Sequence, residues 1–204
     1  MKKVFLVGAL ALFGAANAQI AQGTKFITGT VGYQGEKNNN SDVTKDSFSV
    51  IPTVGYFVAP NVAIGLGVGY ESNSKKGNLT DVTNNTVVDY KNTTSAFVIE
   101  PLVRKYWNVS DNFLLFGQLS VPMKFGNDKY EQAGTEVGKD KFTGFGVVVK
   151  PGIDYIIAPN WTVEATLGEF GYRTSKYKDA ESIDNYNFGL NLGSVTFGVK
   201  YLFK

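Results

Sequence analysis

The last eleven residues of the chain, Ser194 to Lys204, alternate between large apolar side chains and smaller or more polar ones. In a β-strand successive side chains point to opposite faces, so the odd-numbered residues of this segment form one apolar stripe. That stripe consists of Val195, Phe197, Val199, Tyr201 and Phe203. A strand that crosses a bilayer needs about 9–11 residues and carries aromatic side chains where it meets the interface. The segment is therefore predicted to cross a membrane with its odd-numbered residues facing lipid.

The start of the chain has the organisation of an export signal. Two lysines precede a run of apolar residues, and this run ends in an Ala-x-Ala cleavage sequence at residues 16–18. A secretory signal peptide has these parts in this order, and the apolar run is too short to cross a membrane as a helix. We therefore expect residues 1–18 to be cleaved and residues 19–204 to form a single domain.

Composition removes several classes of function. Residues 1–18 hold two of the 20 basic residues and none of the 18 acidic ones, so the rest of the chain carries equal numbers of both. It has no clustered basic stripe of the kind that nucleic-acid binding requires. The chain has no cysteine and therefore no disulfide, and it has no histidine, which removes histidine-based catalysis and His-containing zinc sites. Carboxylate-only or lysine-based chemistry remains formally open, but no segment argues for it. We expect a non-enzymatic protein without a cofactor.

Alternation of apolar and polar residues recurs along the chain and predicts eight strands. They are residues 24–36, 47–58, 62–71, 93–107, 113–125, 141–157, a strand that begins at 161, and 186–203. In the last strand the apolar residues change parity near Gly193, which predicts a β-bulge at Gly193–Ser194.

Short turns and longer polar segments alternate between these strands. The short turns are Ala59-Pro60-Asn61, residues 108–112, and Ala158-Pro159-Asn160, which repeats the first. The longer segments, predicted to be loops, are residues 37–46, 72–92, 127–140 and 174–185. Sequential antiparallel strands that close on themselves leave no unpaired edge. The fold class is therefore an all-β, eight-stranded antiparallel up-and-down transmembrane β-barrel, closed by pairing the last strand with the first near residues 26–33.

A secreted, water-soluble barrel of the lipocalin type, which binds a ligand, would also have eight alternating strands. Three features favour the membrane: bulky residues fill one face while small or charged residues fill the other, loop lengths differ between the two ends, and aromatic residues cluster at strand ends. The aromatic residues, interpreted as interfacial girdles with one at the short-turn rim, are Tyr56, Phe57, Tyr106, Trp107, Tyr155, Trp161, Tyr201 and Phe203.

Seven charged residues fall on the parity opposite to the apolar stripes and are predicted to point into the barrel. They are Glu100, Arg104, Lys124, Lys150, Asp154, Glu164 and Lys200. Because four are basic and three are acidic, we interpret them as an internal salt-bridge network that fills a narrow lumen. A narrow pore for small solutes is the alternative.

The chain resembles the small outer-membrane β-barrel proteins of the OmpA/OmpX type, especially the versions common in Bacteroidetes. The resemblance rests on Val54 to Tyr70, on the two Ala-Pro-Asn turns and on the ending Phe197 to Phe203. It implies a place in the bacterial outer membrane, contact with outer-membrane lipid and with the barrel-assembly machinery, and a structural or adhesion-like surface role. An extracellular partner would bind through the four longer loops.

Overall fold

The computed structural model describes residues 19–81, 86–178, 181–189 and 195–203. The predicted signal peptide and the bulge at Gly193–Ser194 lie outside these residues, so both stay predictions. Eleven strand segments are present in the described part: β1 (Lys25–Asn38), β2 (Val43–Ala59), β3 (Val62–Asp81), β4 (Thr86–Asn108), β5 (Phe113–Ser120), β6 (Met123–Gln132), β7 (Thr135–Ala158), β8 (Trp161–Thr166), β9 (Glu169–Tyr177), β10 (Ser182–Gly189) and β11 (Thr196–Phe203). The described residues contain no helix that is long and apolar enough to cross a membrane.

The segments form one closed ring of eight antiparallel strands. Three strands of the ring consist of two segments each: β5 with β6, β8 with β9, and β10 with β11. Each strand pairs with its neighbour in sequence, and β1 pairs with β11, from Lys25 opposite Phe203 to Thr30 opposite Gly198. This closure confirms the predicted fold class.

The break between β5 and β6 follows from a proline. Pro122 has no backbone N–H and cannot continue the hydrogen-bond ladder. The register on β4 nevertheless continues across the break, since Ser120 lies opposite Leu102 and Met123 lies opposite Ile99. The predicted fifth strand is thus one strand of the ring, and its interruption causes no shift in register.

The four segments predicted to be loops are mostly strand, and this part of the prediction is wrong. The hairpin β1–β2 stays paired to Asn38 opposite Val43, and β3–β4 stays paired to Asp81 opposite Thr86. The other two hairpins, β6–β7 and β9–β10, begin their turns after Gln132 and Tyr177. Beyond the bilayer both faces of a hairpin meet water, so the apolar–polar alternation disappears while the backbone ladder continues. Where the structure describes them, the segments 37–46, 72–92, 127–140 and 174–185 are therefore largely the outer halves of β-hairpins.

The outward-facing aromatic residues form two belts around the ring. The inner belt lies beside the short turns and includes Tyr56, Trp107, Tyr155, Trp161 and Phe203; the outer belt includes Tyr33, Phe48, Tyr70, Phe97 and Phe125. On β4 the belts are ten residues apart, from Phe97 to Trp107. At about 3.3 Å per residue and a tilt of about 40°, this separation spans roughly 25 Å, the height of the apolar band in outer-membrane barrels.

Two residues predicted to belong to a girdle point the other way. Phe57 and Tyr106 are fully buried inside the ring, at 0% and 1% exposure. Each has the inward parity of its strand, because Thr53 and Arg104 on the same strands are also buried. Their position at strand ends suggested an interfacial role, but parity determines the direction of a strand side chain.

The two faces of the terminal strand differ as the alternation predicts. Phe197, Val199 and Phe203 are 66%, 52% and 51% exposed on the outside of the ring, while Val195 and Tyr201 are half-buried. Lys200 and Leu202 are buried inside. Lipid contact along the outer stripe stays a prediction.

Candidate functional site

Large apolar side chains close the inside of the ring at the short-turn end. We call Phe26, Phe57, Tyr106 and Phe116 the aromatic floor. Neighbouring ring centroids lie 5.8 Å apart between Phe26 and Phe57, 5.5 Å between Phe57 and Tyr106, and 5.9 Å between Tyr106 and Phe116. Leu114 and Leu202 are buried in the same cluster. Aromatic rings at these separations pack in contact, so the floor seals the lumen at this end.

The segment before β1 covers the floor from below. The backbone N–H of Ile20 donates to Oδ1 of Asn61 over 2.8 Å. The backbone N–H of Asn61 in turn donates to the carbonyl of Ile20 over 3.1 Å. Asn61 has a φ of 60°, a left-handed conformation that asparagine adopts more readily than most residues. The turn Ala59-Pro60-Asn61 therefore both reverses the chain and holds Ile20 against the apolar cluster.

Two glycines make room for the floor. A Cβ atom at Gly55 would lie 2.1 Å from Cζ of Phe26, and a Cβ atom at Gly152 would lie 2.2 Å from Cζ of Phe116. The aromatic rings thus lie flat against backbone that has no side chain. The strands β2 and β7 supply this space on different sides of the ring.

Four charged side chains lie directly on the floor, and we call them the inner charge layer: Arg104, Asp154, Glu164 and Lys200. Nη1 of Arg104 donates to Oε2 of Glu164 over 2.6 Å. Lys200 pairs with Asp154 and lies 3.6 Å from Glu164. All four are buried and their charges sum to zero, which is the condition under which buried ions are tolerated.

The inner charge layer and the aromatic floor are bonded to each other through Tyr106. Its hydroxyl accepts from Nη1 of Arg104 and from Nζ of Lys200, each over 3.1 Å. The guanidinium carbon of Arg104 also lies 4.2 Å from the ring centroid of Phe116, at cation–π distance. The floor therefore supplies one shared hydrogen-bond acceptor and several π faces to the two cations above it.

Further ion pairs line the lumen toward the hairpins. Nζ of Lys150 lies 2.7 Å from Glu100, Lys124 pairs with Glu71, and Arg173 lies 2.7 Å from Glu169. Gln118 links the first of these pairs to the inner charge layer: it donates to Glu100 over 3.1 Å and accepts from Arg104 over 2.6 Å.

All seven charged residues predicted to share the lumen thus take part in ion pairs there: the inner charge layer, the pair Lys150–Glu100 and the pair Lys124–Glu71. The structure adds Glu71, Glu169 and Arg173 as charged members. Glu71 has the inward parity of its strand, whereas Glu169 and Arg173 follow the break after β8, where parity in the sequence is no longer a guide.

Open space lies above these pairs. A cavity of about 330 Å³ is lined by hydroxyl groups, such as those of Thr30 and Ser49, and by the charged residues Glu100 and Arg173. A second cavity of about 570 Å³ lies toward the hairpins, and Ser49, Glu71, Glu169 and Thr196 line both. The lumen is therefore a polar cup that continues toward the hairpins and ends at the inner charge layer.

The aromatic floor was not predicted, although the sequence contains a signal for it. Phe26, Tyr106, Phe116 and Leu202 each share parity with an inward-facing polar residue of the same strand: Thr28, Arg104, Gln118 and Lys200. Large apolar residues on the polar parity, all near the short-turn ends, indicate a plug inside the ring.

The closed ring, the two aromatic belts and the ion-paired lumen define a transmembrane β-barrel. The chain belongs to the outer membrane protein beta-barrel domain family, whose sequence profile matches residues 5–203. This membership locates it in the bacterial outer membrane and does not support the soluble lipocalin-type alternative. No curated protein matches the chain significantly.

Solved structures similar to the chain are small outer-membrane barrels. The N-terminal β-barrel domain of OprF from Pseudomonas aeruginosa is 12% identical, with a TM-score of 0.44 over 90% of this chain and 100% of that one. Outer membrane protein W of E. coli is 14% identical, with a TM-score of 0.42 over 90% and 99%. Neisserial surface protein A is 15% identical, with a TM-score of 0.40 over 87% and 94%.

Proposed function

We propose that this protein is a non-enzymatic outer-membrane barrel with a structural and surface-interaction role, and that its outer hairpins form the contact surface. The observation that carries the proposal is the length of the paired hairpin β3–β4. It continues from Tyr70 opposite Phe97, in the outer aromatic belt, to Asp81 opposite Thr86, which is eleven residues farther on each side. At about 3.3 Å per residue, this is a ladder roughly 35 Å long beyond the belt.

The rigidity of these hairpins favours binding. β4 pairs with β3 on one side and with β6 on the other as far as Tyr90 opposite Gln132. An ordered surface loses less conformational entropy when a partner docks than a flexible loop does. The hairpins thus present a preformed sheet to a partner. Four flexible loops would bind the same partner less tightly, because they would have to become ordered first.

The lumen supports the structural role over the narrow pore. A pore needs a continuous polar path, whereas here Phe57 and Tyr106 are buried across the short-turn end and Arg104 and Lys200 are held in ion pairs above them. The same pairing argues against carboxylate catalysis. Among the described lumen residues, Glu71, Glu100, Asp154, Glu164 and Glu169 each lie within ion-pair distance of a cation.

The surface role can be tested by shortening one hairpin. Replacing residues 75–92 by Asn-Gly removes the outer part of β3–β4 and retains Ser74 opposite Thr93 as the last pair. Cells that display either form are compared for adhesion to immobilised extracellular-matrix proteins and for cell–cell aggregation. We expect the intact protein to promote one of these and the shortened form to lose it. Equal behaviour of both forms, each folded by heat-modifiable gel mobility, would refute the role of this hairpin.

The pore alternative has a separate test. Refolded protein in a planar bilayer is expected to give no steady conductance, and the double variant Phe57→Ala/Tyr106→Ala is expected to give more than the intact protein. Steady conductance by the intact protein would favour the pore and overturn the structural assignment of the lumen.

A further inference from the structure

Three lysines gather on the outer surface of the ring at, and just beyond, the outer aromatic belt. We call Lys141, Lys176 and Lys178 the lysine triad. Lys141 is on β7, Lys176 is on β9, and Lys178 follows β9 with its backbone N–H donating to the carbonyl of Lys141 over 3.2 Å. All three are exposed. The triad therefore joins two adjacent strands at, and just beyond, the height of the outer belt.

Register fixes the direction and the height of the triad. On β7 the residues with the parity of Lys141, such as Phe145 and Val147, are exposed on the outside of the ring. Thr143 lies opposite Phe125 of the outer belt on one side and opposite Lys176 on the other. Lys176 is thus level with the belt and Lys141 is two residues beyond it. Lipid headgroups meet a transmembrane barrel at this height.

The triad lines a groove that also has an apolar wall. The groove is an open depression of about 580 Å³, bordered by Phe125 and Thr143 together with the three lysines. The small side chain of Thr143 between Phe125 and Lys176 leaves a depression on the surface. One end of this groove can receive an acyl chain while the other presents positive charge.

The charge of the triad is not balanced by ion pairs of the kind that occupy other lysines on this side of the barrel. Nζ of Lys129, farther out on β6, lies 3.0 Å from Glu131 and 3.3 Å from Glu136, whereas the described residues place no carboxylate within ion-pair distance of the triad. Among the described residues, the acidic one nearest in register on the outer face is Asp184, opposite Thr174, and it accepts a hydrogen bond from Tyr172.

We propose that the lysine triad binds the phosphorylated headgroup of an outer-leaflet lipid whose acyl chain packs along Phe125. Lysines at a membrane surface attract anionic headgroups, and each contributes about fivefold in affinity. This site is separate from the proposed surface-interaction role, because it lies on the membrane-facing wall and not on the outer hairpins.

The test uses the refolded mature protein in detergent, with bound lipid counted by native mass spectrometry. The probes are bisphosphorylated lipid A and the same lipid with its phosphates removed. We expect the phosphorylated lipid to bind at least tenfold more tightly than the dephosphorylated one. The variant Lys141→Gln/Lys176→Gln/Lys178→Gln is expected to lose at least tenfold in affinity for the phosphorylated lipid.

A matched control carries the same change of charge elsewhere. Lys37→Gln/Lys75→Gln/Lys76→Gln removes three exposed lysines from the hairpins β1–β2 and β3–β4, and it should bind the lipid like the unmodified protein. Equal losses in the two triple variants, both folded by heat-modifiable mobility, would mean that binding reflects only overall charge and would overturn the proposal.

Two soluble probes distinguish other sources of the same chemistry. Glucosamine 1-phosphate offers a phosphate without acyl chains, and a sulfated heparin fragment offers a polyanion. If either binds in a triad-dependent way as tightly as the phosphorylated lipid, the groove is a site for a soluble anion and the lipid assignment is overturned. Weak or triad-independent binding of both supports it.

Discussion

Nη1 of Arg104 lies 2.6 Å from Oε2 of Glu164, and the two side chains, on β4 and β8, are only 5% and 2% exposed. They belong to strands on different sides of the ring, so this ion pair bridges the lumen. Glu164 also accepts from Oγ1 of Thr28 over 3.0 Å, which adds β1 to the same connection. The pair therefore links strands across the lumen. Its contribution to stability should be measurable as an energetic coupling between Arg104 and Glu164.

Breaking this pair from one side should be worse than removing it. Arg104→Met leaves Glu164 buried with a weaker set of partners, and loss of one member of a buried pair typically costs about 3–5 kcal/mol. The double variant Arg104→Met/Glu164→Leu removes both charges and should recover part of that loss. Urea unfolding in lipid vesicles measures the free energy of unfolding of the two single variants, Arg104→Met and Glu164→Leu, and of the double variant. A double variant less stable than the single one by the full cost of Glu164→Leu alone would show that the two residues are not coupled.

How far the sequence predicts this architecture depends on whether a residue contacts lipid. Within the bilayer one face must be apolar, so alternation reveals the strand, as it does at Phe197 to Phe203. Beyond the outer belt that constraint ends. The polar stretch that includes Lys75 and Asp89 has no alternation, yet the ladder of β3 and β4 continues through it.

The lumen was predictable only in part for a related reason. Parity indicates that Arg104 and Lys200 point inward, but it does not select their partners. Those depend on the stagger of the strands around the ring, which brings Lys200 to Asp154, 46 residues away, and Arg104 to Glu164. The inward direction of Phe57 followed from parity alone and was obscured by its place at a strand end.

Charge on the outside of the terminal strand should impair the protein strongly. Val199 is 52% exposed on the outer stripe, at a position predicted to contact lipid. Arginine near mid-membrane costs about 2–4 kcal/mol, so Val199→Arg should lower the folded yield in vesicles, while Val199→Leu should not. Heat-modifiable gel mobility measures the folded fraction. An unchanged yield for Val199→Arg would contradict the assignment of this face to lipid.

A single methyl group inside the floor should be poorly tolerated. A Cβ atom at position 152 would lie 2.2 Å from the Phe116 ring and 2.6 Å from the backbone carbonyl oxygen of Ala165, so both a side chain and the backbone would have to move. Overpacking of this kind costs about 1–3 kcal/mol. Gly152→Ala should therefore lower the urea midpoint. Gly138→Ala is the matched control, because its Cβ atom would meet its nearest neighbour, Tyr130, at an ordinary 3.5 Å. Equal midpoints for the two variants would contradict the close packing of the floor.

Acid should loosen the outer part of the hairpin β6–β7. A hydrogen bond from Lys129 holds the pKa of Glu131 below its usual range. Because the pKa is lower in the folded state, the stabilisation is present above the ordinary carboxyl pKa of about 4.3 and is lost as the pH falls through the lowered value. Amide hydrogen exchange of residues 129–136, corrected for intrinsic rates, should be faster at pH 3 than at pH 7. Glu131→Gln has no such charge to lose and should reduce the difference. A pH dependence that is the same in both proteins would mean that another group controls the opening of this hairpin.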